Sequence, residues 1–324
     1  MKKCCFIIPY FGKFNNYFPL FLKTCAYNSD FNWLVITDDE TEYDYPENFQ
    51  VVRMSFQELK KLVQSKFDFP IALEKPYKLC DYKPAYGYIF EEYLTDYKFW
   101  GHCDTDVLMG NLSKFLTNDM LNRYDKLFCL GHMTLYRNAF ENNRTFMALY
   151  KHKYLYKDVF SHDEICWFDE EWKDDNNINQ IFQSLGKQVF VQDLSLNFRI
   201  DYSQFVKTTY TGITTTSDEH GYETENPKRC IYFWEQGDIK RYFLSDGKLQ
   251  DEEYAYVHLQ KRKMTFDLSI LNQDKIQIVA NKFLHFNGKD ITANNFNDIY
   301  RKCFNLQYWN SVLKPKILRL FSKL

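Results

Sequence analysis

Apolar and polar positions alternate in short blocks along the first half of the chain, and this pattern predicts strands and helices in turn. Residues 14–27 carry apolar side chains at helical spacing, and Ser55 followed by Glu58 is the capping-box pattern that begins a helix. Pro84 is expected to kink a helix over 77–93 or to mark its start. The predicted strands are 4–8, 33–37, 50–54, 99–102 and 126–131. Strands that alternate with helices indicate an α/β fold.

The second half of the chain is richer in strand patterns. A short helix is predicted over 179–185, and Asp246-Gly247 is a hairpin-turn signal between two of the later strands. The predicted strands are 188–191, 229–234, 239–243 and 254–259. Because neither an internal repeat nor a flexible linker divides the chain, we expect one domain over 1–265 and a C-terminal extension over 266–324.

Composition and charge exclude several classes of protein. The 324 residues carry a net charge of −2, so no global basic field indicates nucleic-acid binding. The nine cysteines form no CxxC pair, which argues against a disulfide scaffold or zinc ribbon and favours a reducing, cytoplasmic compartment. No apolar stretch approaches the roughly 18 residues that a membrane span needs. Aromatic residues make up 19%, an excess that suits a pocket for sugars.

Two carboxylates follow the predicted strand 99–102. Asp104 and Asp106 lie just past its end, where α/β sheets bind ligands, and both can face a divalent cation such as Mg²⁺ or Mn²⁺. A solvated loop is the structural alternative. His102 and Cys103 are interpreted as core residues that pack beneath the site.

Two further segments carry the same chemistry. His258 ends a late strand and is followed by Lys261, Arg262 and Lys263, which suits a third metal ligand beside a clamp for a diphosphate. The alternative is an ordinary basic surface. Asp38 and Asp39 follow the second strand, where an acid can accept hydrogen bonds from a ribose or a base, or can begin a turn.

In this order along the chain, the segments resemble nucleotide-sugar-dependent glycosyltransferases of the GT-A fold. The likeness is greatest to an uncharacterised bacterial group associated with capsule and surface-polysaccharide synthesis. It covers roughly the first 265 residues. The matching segments are 6–12, 33–39, 77–85, 100–106 and 258–263. The resemblance implies a Rossmann-like mixed sheet flanked by helices, with a strand-rich C-terminal half and a helical tail.

The resemblance also implies roles for individual residues. Asp104, Asp106 and His258 match the metal ligands of the family, for Mn²⁺ or Mg²⁺, and Asp104 also matches a donor contact. The other positions that match contacts to the nucleotide-sugar donor are Pro9, Tyr10, Asp38, Asp39, Lys78, Asp81, Lys83 and Lys261. The i, i+3 and i+5 spacing of the three residues in 78–83 does not place them on one helical face, so at most two are expected to reach a donor.

The acceptor side depends on an acid-rich aromatic segment, 161–170. An inverting transferase needs a carboxylate that takes the proton of the acceptor hydroxyl, and aromatic neighbours raise the pKa of such a carboxylate. Asp163 and Glu164 are the candidates, with Asp163 preferred, and an exposed acidic loop is the alternative. Asp193 and Asp201 are weaker candidates.

The last segment of the chain is basic and amphipathic. Residues 305–324 contain cations and no acid, and Pro315 can start a helix. Such a helix can lie on the anionic inner face of the cell membrane, or can dock on protein.

The sequence therefore predicts a metal-dependent hexosyltransferase. It would move a sugar, with galactose in pyranose or furanose form as a guess, from a UDP-sugar to a saccharide acceptor that is free or lipid-linked. A sugar nucleotidyltransferase and a non-catalytic sugar-binding protein are the alternatives. The first of these normally has a glycine-rich basic loop after its first strand, and 10–14 match that pattern poorly.

Overall fold

A computed structural model describes residues 2–172, 175–212, 220–260, 262–265, 267–288, 290–302, 305 and 308–321. No helix within these ranges has the length and apolar character needed to cross a lipid bilayer.

Strands are distributed over most of the chain. They are β1 (Lys2–Tyr10), β2 (Phe31–Thr37), β3 (Phe49–Arg53), β4 (Tyr97–Cys103), β5 (Val107–Met109), β6 (Lys126–Leu130), β7 (Met133–Arg137), β8 (Val189–Phe190), β9 (Ser195–Phe198), β10 (Lys207–Tyr210), β11 (Tyr222–Thr224), β12 (Cys230–Glu235), β13 (Asp238–Ser245), β14 (Lys248–Tyr254), β15 (Tyr256–His258), β16 (Lys275–Val279) and β17 (Lys282–His285).

Helices are short, and most lie in the first two thirds of the chain. They are α1 (Phe18–Ala26), α2 (Phe56–Ser65), α3 (Leu79–Tyr82), α4 (Tyr86–Ile89), α5 (Leu112–Phe115), α6 (Asn118–Arg123), α7 (Phe140–Asn143), α8 (Leu155–Phe160), α9 (Ile178–Ser184), α10 (Phe296–Ile299) and α11 (Lys314–Phe321). Single 3₁₀ turns span Pro76–Lys78, Lys83–Ala85, Glu91–Tyr93, Thr145–Met147 and Leu268–Asn272, and a π-helical turn spans Trp309–Leu313.

The chain divides into two compact units that interleave along the sequence. Unit 1 comprises 1–14, 28–105 and 116–192, and unit 2 comprises 15–27, 106–115 and 193–324. The expected boundary at residue 265 stays a prediction. The units change between residues 105 and 106, inside the Asp-x-Asp segment.

Unit 1 contains a mixed sheet of order β3-β2-β1-β4-β7-β6-β8. Strands β3, β2, β1 and β4 run parallel, and β7 is antiparallel to both of its neighbours. Apolar side chains on one face, among them Ile7, Leu34 and Trp100, form a core with helix residues such as Leu59 and Ile181. This mixed sheet with helices packed on it confirms the predicted α/β class.

Unit 2 contains two five-stranded sheets, of order β11-β10-β9-β15-β5 and β14-β13-β12-β16-β17. Its core includes Leu108, Leu196 and Trp234, and the indole of Trp234 donates a hydrogen bond to the carbonyl of Met109 at 3.2 Å. The strand-rich C-terminal half is thus confirmed, and α11 is a helix within the predicted tail. Lys314 and Lys316 on this helix are exposed, whereas 322–324 lie outside the described residues.

Short sequence motifs predict several local features of both units correctly. Ser55 and Glu58 make both hydrogen bonds of a capping box at the start of α2. The expected helix over 77–93 is instead a series of short turns, with Pro84 inside one of the 3₁₀ turns. Asp246 and Gly247 have φ values of +49° and +73°, as a tight hairpin turn requires, and they join β13 to β14.

Candidate functional site

The ends of β1 and β2 lie side by side, since the two strands are parallel and Tyr10 is in register with Thr37. The carboxylate of Asp38 is exposed and accepts a hydrogen bond from the amide of Gly12 at 2.7 Å. Asp39 is buried and accepts from the ammonium of Lys13 at 2.6 Å. Pro9 and Tyr10 are half-buried.

Asp39 is a structural acid of this turn. Burial opposes its ionisation, but hydrogen bonds from Lys13, Thr41 and the Phe14 amide outweigh burial and hold its pKa below the usual value. Its carboxylate therefore fixes the turn over 12–14, and of the two acids predicted here Asp38 is the exposed one.

Lys78 and Asp81 form a buried ion pair, 2.9 Å from Nζ to Oδ2. Asp81 also accepts hydrogen bonds from the amides of Cys166 and Phe168, at 2.9 and 3.0 Å, and Lys78 donates to the carbonyl of Glu164. The residue between the two amides, Trp167, has a φ of +54°. The pair thus holds the loop 164–168 in a specific, strained conformation. A contact of either side chain with a donor stays a prediction.

Lys83 points elsewhere, in keeping with its spacing from Lys78 and Asp81. Its ammonium contacts Asp104 Oδ1 at 3.0 Å, the carbonyl of Gly131 at 2.8 Å and Asp169 Oδ2 at 3.3 Å. Burial alone would lower the pKa of Lys83, but Asp104 and Asp169 raise it above the usual value. Lys83 is therefore a permanent cation that fixes both acids.

Asp169 and Glu170 are the acids of segment 161–170 that lie in this polar centre. Burial raises the pKa of Asp169 to about 7 against the opposing charge of Lys83, and Glu170 adds to the rise. Burial also raises the pKa of Glu170, whose carboxylate accepts from the Gly131 amide at 3.1 Å. A Cβ on Gly131 would lie 2.8 Å from Asp169 Oδ2 and 2.9 Å from Glu170 Oε2, so a larger residue here would displace these carboxylates.

Asp163 and Glu164, the acids chosen from the sequence, have exposed side chains. Their role as proton acceptor stays a prediction, as do the roles of Asp193 and Asp201. The structure gives Asp193 a turn, where it accepts from the Ser195 amide, and gives Asp201 an ion pair with Arg199. Sequence reasoning singled out the acidic segment but did not select Asp169 or Glu170 within it, because nothing local shows which of its acids is buried.

In unit 2, Asp106 and His258 are half-buried and face one another, with 3.7 Å between Oδ1 and Nε2. Strand β15 places His258 opposite Val107 of β5, and the amide of Leu259 donates to the carbonyl of Asp106. Asp104, Asp106 and His258 each offer one potential metal-ligand atom.

Asn197 on β9 determines which nitrogen of His258 carries the proton. Its Oδ1 lies 3.1 Å from His258 Nδ1 and 3.0 Å from the amide nitrogen of Phe198. An amide N–H can only donate, so the atom that it meets is the oxygen of Asn197, and Nδ1 of His258 must be the donor. When the ring is neutral, the lone pair is therefore on Nε2, the nitrogen that faces Asp106. Asn197 was not identified from the sequence, since strand β9 carries no recognisable motif.

The sequence model of a family described as "Family of unknown function (DUF6625)" matches residues 6–287. This chain belongs to that family. No curated protein matches it. Among solved structures, the DUF6625 chain is similar to the galactosyltransferase LgtC in complex with donor and acceptor sugar analogues. The sequence identity is 12% and the TM-score 0.34, over 60% of this chain and 75% of that chain.

The other residues singled out from the sequence are placed differently in the structure. Lys261 lies outside the described residues. Arg262 is buried, where burial lowers its pKa to about 10, and it donates to the carbonyl of Arg199 at 2.6 Å. His102 and Cys103 are buried, as predicted, and burial holds the pKa of His102 well below its usual value, so its ring is neutral.

Proposed function

We propose that this chain is a metal-dependent glycosyltransferase that moves a sugar from a nucleoside diphosphate donor, a UDP-sugar, to a saccharide acceptor. The observation that carries the proposal is the Asp106–His258 pair. A carboxylate oxygen and an imidazole lone pair repel at 3.7 Å unless a proton or a cation lies between them. Two atoms that bind one metal ion at about 2.1 Å lie at most about 4.2 Å apart, so the separation fits a shared ion.

The ligand atoms of Asp106 and His258 also suit a divalent metal ion. Carboxylate oxygen and neutral imidazole nitrogen are ligands that Mn²⁺ accepts, and carboxylate alone suits Mg²⁺. We assign Asp106 and His258 as ligands and include Asp104 from the sequence resemblance. When bound, a divalent cation neutralises the charge of a departing diphosphate. Asn197 would hold the ring of His258 in the ligating tautomer.

The nucleotide-sugar donor would be held by residues that the sequence resemblance predicts as donor contacts. Asp38 is exposed at the ends of β1 and β2, where its carboxylate can accept hydrogen bonds from a ribose or a base. Pro9 and Tyr10 would line the same edge, and Lys83 would keep Asp104 in place. Lys261 is proposed as the cation that assists the diphosphate.

Two sets of acids compete for the proton of the acceptor hydroxyl. Asp163 and Glu164 are exposed and can reach a large saccharide. Asp169 has a pKa of about 7, the value at which a base is most effective near neutrality, and half-buried Glu170 lies beside it. We propose Asp169 and Glu170 as a second pair of candidates for this step.

Galactose as the transferred sugar, a lipid-linked acceptor, surface-polysaccharide synthesis and contact of α11 with an anionic membrane complete the proposal. They are supported by the sequence resemblance and by the exposed lysines of α11.

The test is a panel of UDP-sugars incubated with and without a saccharide acceptor, in Mn²⁺ or in excess chelator. Turnover should need the metal, and Asp106→Asn should reduce it by at least about 100-fold. Asp251→Asn, which changes an exposed acid of the same unit, is the matched control. Full turnover in chelator or in Asp106→Asn contradicts the proposal.

The same assay separates the candidate bases. Loss of the true base should abolish transfer to the acceptor while hydrolysis of the donor by water is less affected. Asp163→Asn, Glu164→Gln, Asp169→Asn and Glu170→Gln are compared for this ratio, and the variant that changes it identifies the residue.

A further inference from the structure

Unit 2 contains a cavity that the proposed reaction does not use. It has a volume of about 310 Å³ and is lined by residues of three separate segments, 202–206, 227–229 and 300–302. None of its lining residues is a proposed metal ligand, donor contact or proton acceptor. Its size is at the lower end of the range for small-molecule sites.

The charge of the cavity has one sign. Lys228, Arg229 and Lys302 are exposed among its lining residues, and the lining that the structure describes includes no acid. The nearest carboxylate to Lys228 for which the structure gives a distance is that of Glu225, at 3.8 Å, but the same oxygen is 2.6 Å from buried Arg241. Glu225 is thus engaged mainly by Arg241, and the cations of the cavity retain their positive field.

Apart from the approach of Lys228 to Glu225, the contacts that the structure gives for Lys228 and Arg229 are with neutral groups. The ammonium of Lys228 lies 3.6 Å from the ring centroid of Phe243. Arg229 donates to the side-chain oxygen of Asn297 at 3.1 Å, and its guanidinium lies 5.7 Å from the ring centroid of Tyr300. Neutral groups position Arg229 and leave its charge intact, and Lys228 shares its carboxylate partner with Arg241, so both remain able to bind an anion.

Aromatic and hydroxyl groups complete the lining. Phe205 is buried and stacks on Phe198 with 3.9 Å between ring centroids, which gives the cavity a rigid apolar wall. The hydroxyl of Tyr300 donates to the side chain of Gln204 at 2.8 Å, and Tyr202 is exposed. Rings that carry polar groups suit a ligand with apolar faces and hydroxyl edges.

We propose that this cavity binds a saccharide that carries an anionic group, either a carboxylate or a phosphate. Lys228 and Arg229 bind the anion, and the rings of Tyr300 and Phe205 contact the sugar. The proposal does not depend on the function proposed above, because the cavity shares no residue with it.

Isothermal titration calorimetry on the full chain, without divalent metal or UDP-sugar, tests the proposal. The probes are glucuronic acid, glucose 6-phosphate, glucose and inorganic phosphate. The two anionic sugars should bind at least about tenfold more tightly than glucose or phosphate. The anionic sugar that binds more tightly shows whether the cavity prefers a carboxylate or a phosphate. Equal binding of glucose overturns the role of charge, and equal binding of inorganic phosphate overturns the role of the sugar.

Variants locate the site. Arg229→Gln and Lys228→Gln should each weaken the anionic sugars by about fivefold or more, and Tyr300→Leu should weaken them through loss of the ring. Lys248→Gln removes an exposed cation elsewhere in the same unit and should leave binding unchanged. An unchanged thermal midpoint shows that each variant is folded. Wild-type affinity in folded Arg229→Gln and Lys228→Gln overturns the proposal, whatever the outcome of the transferase assay.

Discussion

The acids at the polar centres of the two units have different kinds of partner. In unit 1, Asp104 and Asp169 share the ammonium of Lys83, which is itself half-buried. In unit 2, Asp106 faces Nε2 of His258, whose orientation Asn197 fixes. The first centre supplies its own cation, whereas in the second a carboxylate oxygen and an imidazole nitrogen lie 3.7 Å apart, close enough to share a proton or a metal ion.

This difference separates acids that hold neighbouring groups in place from acids that can bind a metal ion. A buried acid with a lysine partner is neutralised within the protein and serves to hold neighbouring groups or a proton. Two donors that face each other gain from an added cation, and a site of that kind favours metal binding. We therefore expect damage to unit 1 to lower stability first, and damage to unit 2 to lower metal affinity first.

The largest effect on stability should come from breaking the Lys78–Asp81 pair. Asp81→Ala leaves a buried ammonium and two loop amides without their carboxylate, and it should lower the free energy of unfolding by about 3–5 kcal/mol. Urea denaturation measures the loss. Lys60→Ala is the control, because its pair with Glu74 is at the surface and should contribute at most about 1 kcal/mol. Equal losses in both variants disprove the structural role of the pair.

The second effect is a pH dependence that originates in Asp169. Its pKa is about 7 in the folded chain against 3.8 as the ordinary value, so the folded state binds the proton more tightly. Stability should therefore fall as pH rises from about 4 to about 7, by a total of about 4 kcal/mol, and then level off. Asp169→Asn removes this titration.

This pH dependence is measured by urea denaturation of wild type and Asp169→Asn. The pH values lie between 4.5 and 8, approximately the range in which Asp169 changes its protonation. The variant should gain stability relative to wild type as the pH rises. Asp163→Asn changes an exposed carboxyl of the same loop and is the matched control. Parallel curves for Asp169→Asn and wild type show that burial of Asp169 carries no proton linkage.

The smallest expected effect concerns Asn197. Asn197→Leu removes the acceptor that holds the Nδ1 proton of His258, and it should weaken Mn²⁺ binding by about 10–100-fold. Asn197→Asp keeps an acceptor oxygen and should restore much of the affinity. The ¹⁵N chemical shifts of the imidazole report the tautomer directly. If Asn197→Leu leaves both the tautomer and the affinity unchanged, Asn197 only packs.

Much of the fold was predictable because its signals are local. The apolar runs that became β1, β2 and β4, the capping box at Ser55 and the Asp246-Gly247 turn each depend on a few neighbouring residues. Strand β7 was missed; it pairs with β6 directly before it and with β4 much earlier in the chain, and the second pairing has no local signal. The strand pattern over 254–259 is divided between β14 and β15, which belong to different sheets.

The candidate site shows the same limit. Asp106 and His258 were named together through a resemblance, and the structure brings them to 3.7 Å. Asn197, whose role comes from contacts with residues about 60 positions later, has no local signature. Asp169 differs from Asp163 only in burial, which depends on Lys83 and Gly131 far away in the sequence.

The central claim is that Asp106 and His258 bind a divalent cation, and a Mn²⁺ titration followed by electron paramagnetic resonance tests it most directly. Wild type and Asp251→Asn should bind Mn²⁺ with the same affinity, whereas Asp106→Asn should bind it at least about 100-fold more weakly, because a charged ligand is lost. The same Mn²⁺ affinity in Asp106→Asn and in wild type would contradict the account.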